Sequence, residues 1–169
     1  EVKLVAKELE TMKLGDQLKT KLKNSDALIE ELKSEKRDLL EDITTGTPMV
    51  RDDAIILSLL SDIESKIIVC GHTHIPRTVT LSSGQLVINT GSVGYPAYED
   101  NLPIVHKMQT YSPHANYVLI KCVETEQRKH WQTEHIKVAY DHEAAARLAL
   151  KNGRKDWAFA LKTGRVLSI

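Results

Sequence analysis

The pattern of apolar and polar residues predicts helix over the first part of the chain. Residues 2 to 40 are rich in Lys, Glu and Leu, contain no proline, and favour helix at most positions. Gly46 and Pro48 then mark a loop, because these two residues interrupt regular structure. Beyond this loop, apolar side chains recur at helical spacing from residue 55 to residue 63, which predicts another helix that ends before Lys66.

Short runs of β-branched and aromatic residues predict strands in the middle of the chain. Residues 66 to 70 form a β-branched run closed by Gly71, which is typical of a buried strand that ends in a loop. Ser83 and Gly84 have the composition of a hairpin turn. The other predicted strands lie at residues 78 to 81, 85 to 89, 115 to 123 and 131 to 139.

The end of the chain is predicted to be helical again. Residues 140 to 152 are rich in alanine, begin with acidic residues and are followed by Gly153, which together indicate a helix with both ends marked. A last short helix is predicted from Trp157 to Lys162. The fold class predicted from this order of elements is mixed α/β, with helices flanking a mixed sheet.

Length and charge limit the classes of function. The 169 residues suffice for one domain, and 23 basic residues against 23 acidic ones leave no net charge to attract nucleic acid or an anionic membrane. Cys70 and Cys122 lie far apart without a CxxC pair, which argues against a disulfide framework or a structural zinc site. No apolar stretch reaches the length of a membrane span, and the charged N-terminus does not resemble a secretory signal, so we expect a cytoplasmic protein.

The strongest candidates for chemistry are two histidines that directly follow a predicted strand. His72 and His74 lie two positions apart, and in an extended backbone such residues project to the same side. Imidazole is the commonest nitrogen ligand for divalent metals, so this pair predicts a metal site at the end of the strand. The alternative is a surface loop with two solvated histidines, which is as common for an isolated HxH sequence.

The sequence around the histidines narrows these alternatives. An apolar strand is followed by GHTH at residues 71 to 74, and after the predicted hairpin come NTGS at residues 89 to 92 and VGYP at residues 93 to 96. This order resembles the closing motifs of the calcineurin-like metallophosphoesterases, and within them the small bacterial and archaeal phosphodiesterase-like members. The resemblance extends over residues 44 to 169 and implies a fold of mixed β-sheet layers flanked by helices.

The resemblance implies a phosphatase or phosphodiesterase that uses two divalent metal ions. In such enzymes a metal-bound hydroxide attacks the phosphorus atom of a small-molecule phosphoester in line with the leaving group. His72 would bind one metal and also take part in catalysis, and His74 would bind the other. Asn89, Gly91 and Ser92 would contact the substrate phosphate. Mn²⁺, Fe, Zn²⁺ and Mg²⁺ all suit such a site.

Other family motifs do not occur in this chain. The N-terminal Asp-x-His and Gly-Asn-His motifs are absent, and Thr45 stands where the family has the histidine of His-Gly-Thr-Pro. The Gly-Asp pair at Gly15 and Asp16 lies in a helical context rich in Lys and Leu, and not after a strand as in the family. We therefore expect residues 44 to 169 to be the C-terminal portion of a metallophosphoesterase domain, preceded by a helical segment at residues 1 to 43. In that interpretation the N-terminal half of the fold is missing and the chain carries only part of the ligand set.

Two other interpretations remain open. The chain is alternatively a non-catalytic relative that serves as an interaction module, whose helical N-terminus binds a partner or a second copy through Leu22, Ile29, Leu32 and Leu39. In the last interpretation the N-terminal segment completes the metal site with a carboxylate from Asp16, Asp26 or Glu41. Three further residues can either border the substrate site or lie on the surface, namely Arg77, His106 and His114.

Overall fold

The computed structural model describes residues 38 to 126 and 129 to 167, which belong to one compact unit, Arg37–Ile169. The helix predicted from residue 2 onwards therefore lies outside the described residues, apart from residues 38 to 40, which form a turn. The described chain is mixed α/β. Its strands are β1 (Glu41–Asp42), β2 (Met49–Val50), β3 (Ile67–Cys70), β4 (Arg77–Thr80), β5 (Leu86–Asn89), β6 (Ala97–Asp100), β7 (His106–Gln109), β8 (Ala115–Glu124) and β9 (Lys129–Val138). Its helices are α1 (Asp53–Leu59), α2 (His142–Lys151) and α3 (Lys155–Thr163).

A three-stranded sheet in the order β3-β5-β4 organises the described chain. Strand β3 runs parallel to β5. Strand β4 runs antiparallel to β5, and the predicted turn that joins them contains Gly84 with a φ of +79°. The register places Cys70 beside Asn89, and Asn89 beside Arg77. The ends of β3 and β5 and the start of β4 therefore meet at one edge of the sheet, and the predicted functional loops leave from that edge.

The hydrophobic core lies between this sheet and helix α1. Leu40 and Ile56 are fully buried against Val87 of the central strand, with Leu60 and Leu81 completing the cluster. The apolar stripe predicted for α1 continues to Ile63, but the helix itself ends at Leu59 and residues 60 to 62 form turns. Residues just before β1 thus belong to the same core as the sheet that carries the histidines.

Two neighbouring isoleucines in α1 allow the contribution of core packing to stability to be measured. Ile56 is 0% exposed and Ile55 is 42% exposed. We expect Ile56→Val to lower the free energy of unfolding by about 0.5–1.5 kcal/mol, because a methylene is removed from a packed interior. The same change at Ile55 should have a clearly smaller effect in urea denaturation. Equal losses at the two positions would mean that α1 does not pack as described.

The remaining elements form hairpins and a helical pair. No strand is predicted from the sequence between residues 90 and 114, but Ala97–Asp100 and His106–Gln109 form the antiparallel pair β6–β7. The sequence gives little sign of these strands, since the buried His106 and Met108 alternate with Lys107 and Gln109, which are poor strand formers. The strands predicted at residues 115 to 123 and 131 to 139 are present as β8 and β9, and they form a long antiparallel pair. No helix among the described residues is long and apolar enough to cross a membrane.

The C-terminal helices follow the prediction closely. The Asp141 side chain accepts a hydrogen bond of 2.8 Å from the backbone N–H of Ala144 and so caps α2. Helix α2 packs on α3 through Ala146, Ala158 and Leu161, whose small or compact side chains let the helices approach. Gly164 ends α3 in the left-handed conformation that helix C-termini favour.

Candidate functional site

The histidines occupy a tight turn rather than the extended segment expected from the sequence. Residues 72 and 73 form this turn directly after β3, and the backbone N–H of His74 donates a hydrogen bond of 3.1 Å to the carbonyl oxygen of Gly71. His74 has a φ of +59°, a left-handed conformation that is uncommon for a residue with a Cβ atom. Backbone strain of this kind collects at functional sites, where the surrounding structure holds it in place.

The imidazole of His74 is fixed by its neighbours. Its Nδ1 lies 2.8 Å from the carbonyl oxygen of Tyr95, which can only accept, so Nδ1 carries the proton and donates it. The ring also makes edge contacts with Tyr95 and Tyr98. Burial lowers the pKa of His74, and the nearby His72 lowers it further against the opposing effect of the Tyr95 hydrogen bond. Burial therefore favours the neutral imidazole, in which Nε2 carries the lone pair because Nδ1 carries the proton.

The side chain of His72 faces a buried carboxylate. Its Nε2 lies 4.0 Å from Oδ1 of Asp38, and its carbonyl oxygen accepts a hydrogen bond of 3.0 Å from the Tyr98 hydroxyl. Asp38 is only 7% exposed, and burial raises its pKa although His72 and His106 act in the opposite direction. Oδ1 has no hydrogen-bond partner in the described part of the chain. A buried oxygen without a partner, facing an imidazole, is the kind of group that a cation stabilises.

His72 and Asp38 bring two side chains of metal-ligand type close together. Their 4.0 Å separation is too long for a hydrogen bond, and an imidazole nitrogen and a carboxylate oxygen are both atom types that would hold a divalent metal ion. Within residues 38 to 126 and 129 to 167, however, no group of three or more His, Cys, Asp or Glu side chains converges on one point. The described residues thus fit a metal ion as a pair of ligands and not as a complete site.

A network of buried polar side chains connects the histidine turn to the neighbouring strands. Nδ2 of Asn89 donates a hydrogen bond of 2.8 Å to the hydroxyl oxygen of Thr73, and the Thr73 side chain lies close enough to Glu41 to lower the pKa of its carboxyl group. Oε1 of Glu41 lies 3.1 Å from Nε of Arg77. Burial raises the pKa of Glu41, while the Thr73 hydrogen bond and the Arg77 charge oppose this rise. The network joins strands β1, β4 and β5 to the turn between the two histidines.

The polar groups of the residues predicted to contact phosphate are hydrogen-bonded to other protein groups. The N–H of Gly91 donates to Oδ1 of Asn89 at 2.9 Å, and the hydroxyl of Ser92 accepts from the N–H of Tyr95 at 2.9 Å. Gly91 has a φ of +78°, and a Cβ atom there would lie 2.8 Å from Cβ of Asn116. In this structure, these groups shape the loop that carries the Tyr95 carbonyl to His74.

The other candidates take different positions. His106 is buried and lies near enough to Asp38 to influence its pKa. The ring of His114 contacts that of His142 at the start of α2. Asp38 itself carries no sequence motif, and only the packing of the preceding turn into the core brings it to His72.

No protein-family model matches the chain, and no curated protein matches it either. The function proposed below therefore rests on the motif resemblance and on the geometry of the two histidines.

Proposed function

We propose that this protein is a metal-dependent phosphoester hydrolase, a phosphatase or phosphodiesterase, to which the described residues contribute part of a two-metal site. The single observation that supports this function most is the state of His74. Its backbone is held in a left-handed conformation and its Nδ1 proton is committed to the Tyr95 carbonyl, so that Nε2 is directed as a ligand. A histidine oriented by a hydrogen bond from its second nitrogen is the usual arrangement in metal sites.

Each residue has a distinct part in this proposal. His74 offers Nε2 to one metal ion, and His72 with Asp38 offers a nitrogen and a carboxylate oxygen to the other. Bound divalent ions would polarise the phosphoryl group and lower the pKa of water. The protein's own contribution is to keep His74 neutral by burial and to hold the turn rigid through the Asn89–Thr73–Glu41 network. The remaining ligands would come from outside the described residues.

The same proposal assigns the mixed sheet to a layered metallophosphoesterase fold. Two features of the described chain support it. Strand β3 lies parallel to β5, and the histidine turn and the Gly91 loop leave from the same edge. In α/β sheets, ligands bind beyond the carboxyl ends of parallel strands, where such loops converge. The substrate would be a small phosphoester held at this edge.

Metal affinity tests the proposal without requiring a complete active site. We expect Mn²⁺ to bind the wild-type chain and to bind His72→Ala and His74→Ala at least about tenfold more weakly, as titration calorimetry would measure. His130→Ala, which removes an imidazole from β9, serves as the matched control and should bind like wild type. Turnover of bis-p-nitrophenyl phosphate in Mn²⁺, where present, should fall with the same two variants. Unchanged affinity in both variants would refute the assignment.

An interaction module is the second candidate function. It is favoured by the lack of a three-ligand metal group in the part of the chain that the structure describes. The leucines and isoleucine expected to form its binding surface are outside that part, except for Leu39, which is buried in the core. Failure of the wild-type chain to bind Mn²⁺ would favour this module over the hydrolase.

A further inference from the structure

A basic cleft lies beside the histidine turn. It encloses about 400 Å³ and is formed where the residues after His74 approach strands β7 and β9 and the loop before β2. Its lining includes Ile75, Pro76, Arg77, Lys107, Tyr111 and Lys137. The volume is within the range of sites that hold small organic molecules, about 300–1,000 Å³.

The charge of this lining is entirely positive. Arg77, Lys107 and Lys137 contribute three cations, and no Asp or Glu is among the lining residues of the described chain. The whole chain has equal numbers of acidic and basic residues, so this local excess is not a consequence of composition. Cations gathered in a concave site attract anionic ligands more strongly than the same charges on a flat surface.

Two of the cations already contact carboxylates that do not line the cleft. Nε of Arg77 lies 3.1 Å from a carboxylate oxygen of Glu41, and the guanidinium carries further N–H donors on its two Nη atoms. Nζ of Lys107 lies 3.7 Å from a carboxylate oxygen of Glu99, and both side chains are partly exposed, so the pair is weak. Lys137 projects from β9, opposite Asn116 of β8. An anion in the cleft would meet all three cations without breaking the buried Arg77 contact.

The rest of the lining suits an organic group. Ile75 and Pro76 provide an apolar wall, and the ring of Tyr111 is 62% exposed. Tyr111 is held in a left-handed backbone conformation, its hydroxyl accepts a hydrogen bond from Gln109, and the guanidinium of Arg165 lies 5.0 Å from its ring centre. An exposed aromatic ring fixed in this manner offers a surface for a planar ligand group.

We infer that the cleft binds an organic phosphate, with the phosphate group on Arg77, Lys107 and Lys137 and a planar organic group against Tyr111 and Ile75. The identification of this ligand as a substrate rests on the proposed hydrolase function, whereas the binding does not. No metal ion is needed for it, because the contacts are made by protein cations and apolar surface alone.

Phenylphosphonate is a suitable probe, since it carries a phosphate-like group and a ring and is not hydrolysed. In the presence of EDTA, titration calorimetry should show that the wild-type chain binds phenylphosphonate, and that methylphosphonate, which lacks the ring, binds more weakly. The double variant Lys107→Met/Lys137→Met should bind phenylphosphonate at least about tenfold more weakly. Added NaCl should also weaken wild-type binding, because screening acts on exposed charges.

Lys121→Met is the matched control. Lys121 belongs to the same long hairpin, pairs with Gln132 and projects from the face opposite to that of Lys137. The Lys121→Met variant should bind phenylphosphonate as tightly as the wild-type chain does. The inference is overturned if the wild-type chain shows no saturable binding up to about 10 mM, or if the double variant binds as tightly as the control. If the wild-type chain binds Mn²⁺ but not phenylphosphonate, the proposal for the cleft is refuted and the hydrolase proposal is not. If it binds phenylphosphonate but not Mn²⁺, the hydrolase proposal is refuted and the proposal for the cleft is not.

Discussion

Replacement of Gly164 by alanine is expected to lower the free energy of unfolding by about 3–5 kcal/mol, near the upper limit for a single substitution. Gly164 has a φ of +65°, and a Cβ atom built there would collide with the backbone nitrogen of Ser112 and lie 2.6 Å from its carbonyl oxygen. The obstacle is main chain, so no side chain can rotate away. Gly164 also accepts a hydrogen bond of 2.9 Å from the N–H of Tyr111, which ties the end of α3 to the segment before β8.

Gly153 provides the matched control for this substitution. It has a similar φ of +76°, but nothing lies within 4 Å of a Cβ atom placed there. Gly153→Ala therefore measures the cost of the left-handed conformation alone, about 1–2 kcal/mol. Urea denaturation of the two variants should separate the conformational cost from the collision. Equal losses at Gly153 and Gly164 would contradict the close approach of α3 to Ser112.

Replacement of Arg77 by methionine is expected to lower the free energy of unfolding by about 3–5 kcal/mol at pH 7, because it leaves the carboxylate of Glu41 buried without its cation. Glu41 is 1% exposed, and Arg77 lies 3.1 Å from it. Lys162→Met is the control, since Lys162 and Glu143 form a surface pair in which each side chain is 49% exposed. That change should cost less than about 1 kcal/mol.

The loss in Arg77→Met should also depend on pH. Burial raises the pKa of Glu41 in the folded protein, and removal of Arg77 takes away a charge that opposes this rise. A raised folded-state pKa means that stability is lost as pH rises through it and is recovered at lower pH. The difference between Arg77→Met and wild type should therefore shrink between pH 7 and the ordinary glutamate pKa of 4.5. A difference independent of pH would mean that Glu41 does not carry the effect.

The elements predicted well from sequence are those whose pattern is local. Strands β3 and β5 are dense in β-branched residues, and α2 has an acidic start and a glycine beyond its end, so period and capping decide their structure. The pair β6–β7 was not predicted, because its residues are mostly polar and tertiary packing buries only alternate ones.

The candidate site was predictable only in part, for the same reason. His72 and His74 stand out by their spacing after a strand, whereas their turn geometry and the Tyr95 contact depend on a loop far along the chain. Glu41 was one of three carboxylates considered for the site, and it lies in the network beneath the histidines. Asp16 and Asp26 are outside the described residues. Asp38 reaches His72 only through packing of the turn before β1, which leaves no local pattern to detect.

The sheet order implies a sequence of folding events. Strands β4 and β5 are neighbours in the chain and need only a short turn to pair, whereas β3 and β5 are separated in the chain by β4, which lies on the other side of β5. Closing the longer loop costs more chain entropy, so the hairpin should form before β3 docks on it. The histidine turn follows β3 directly, and the side chains that hold it come from β5 and the Tyr95 loop. The histidine turn should therefore take its native shape late in folding. Recovery of Mn²⁺ binding during refolding would then show that β3 has docked on β5.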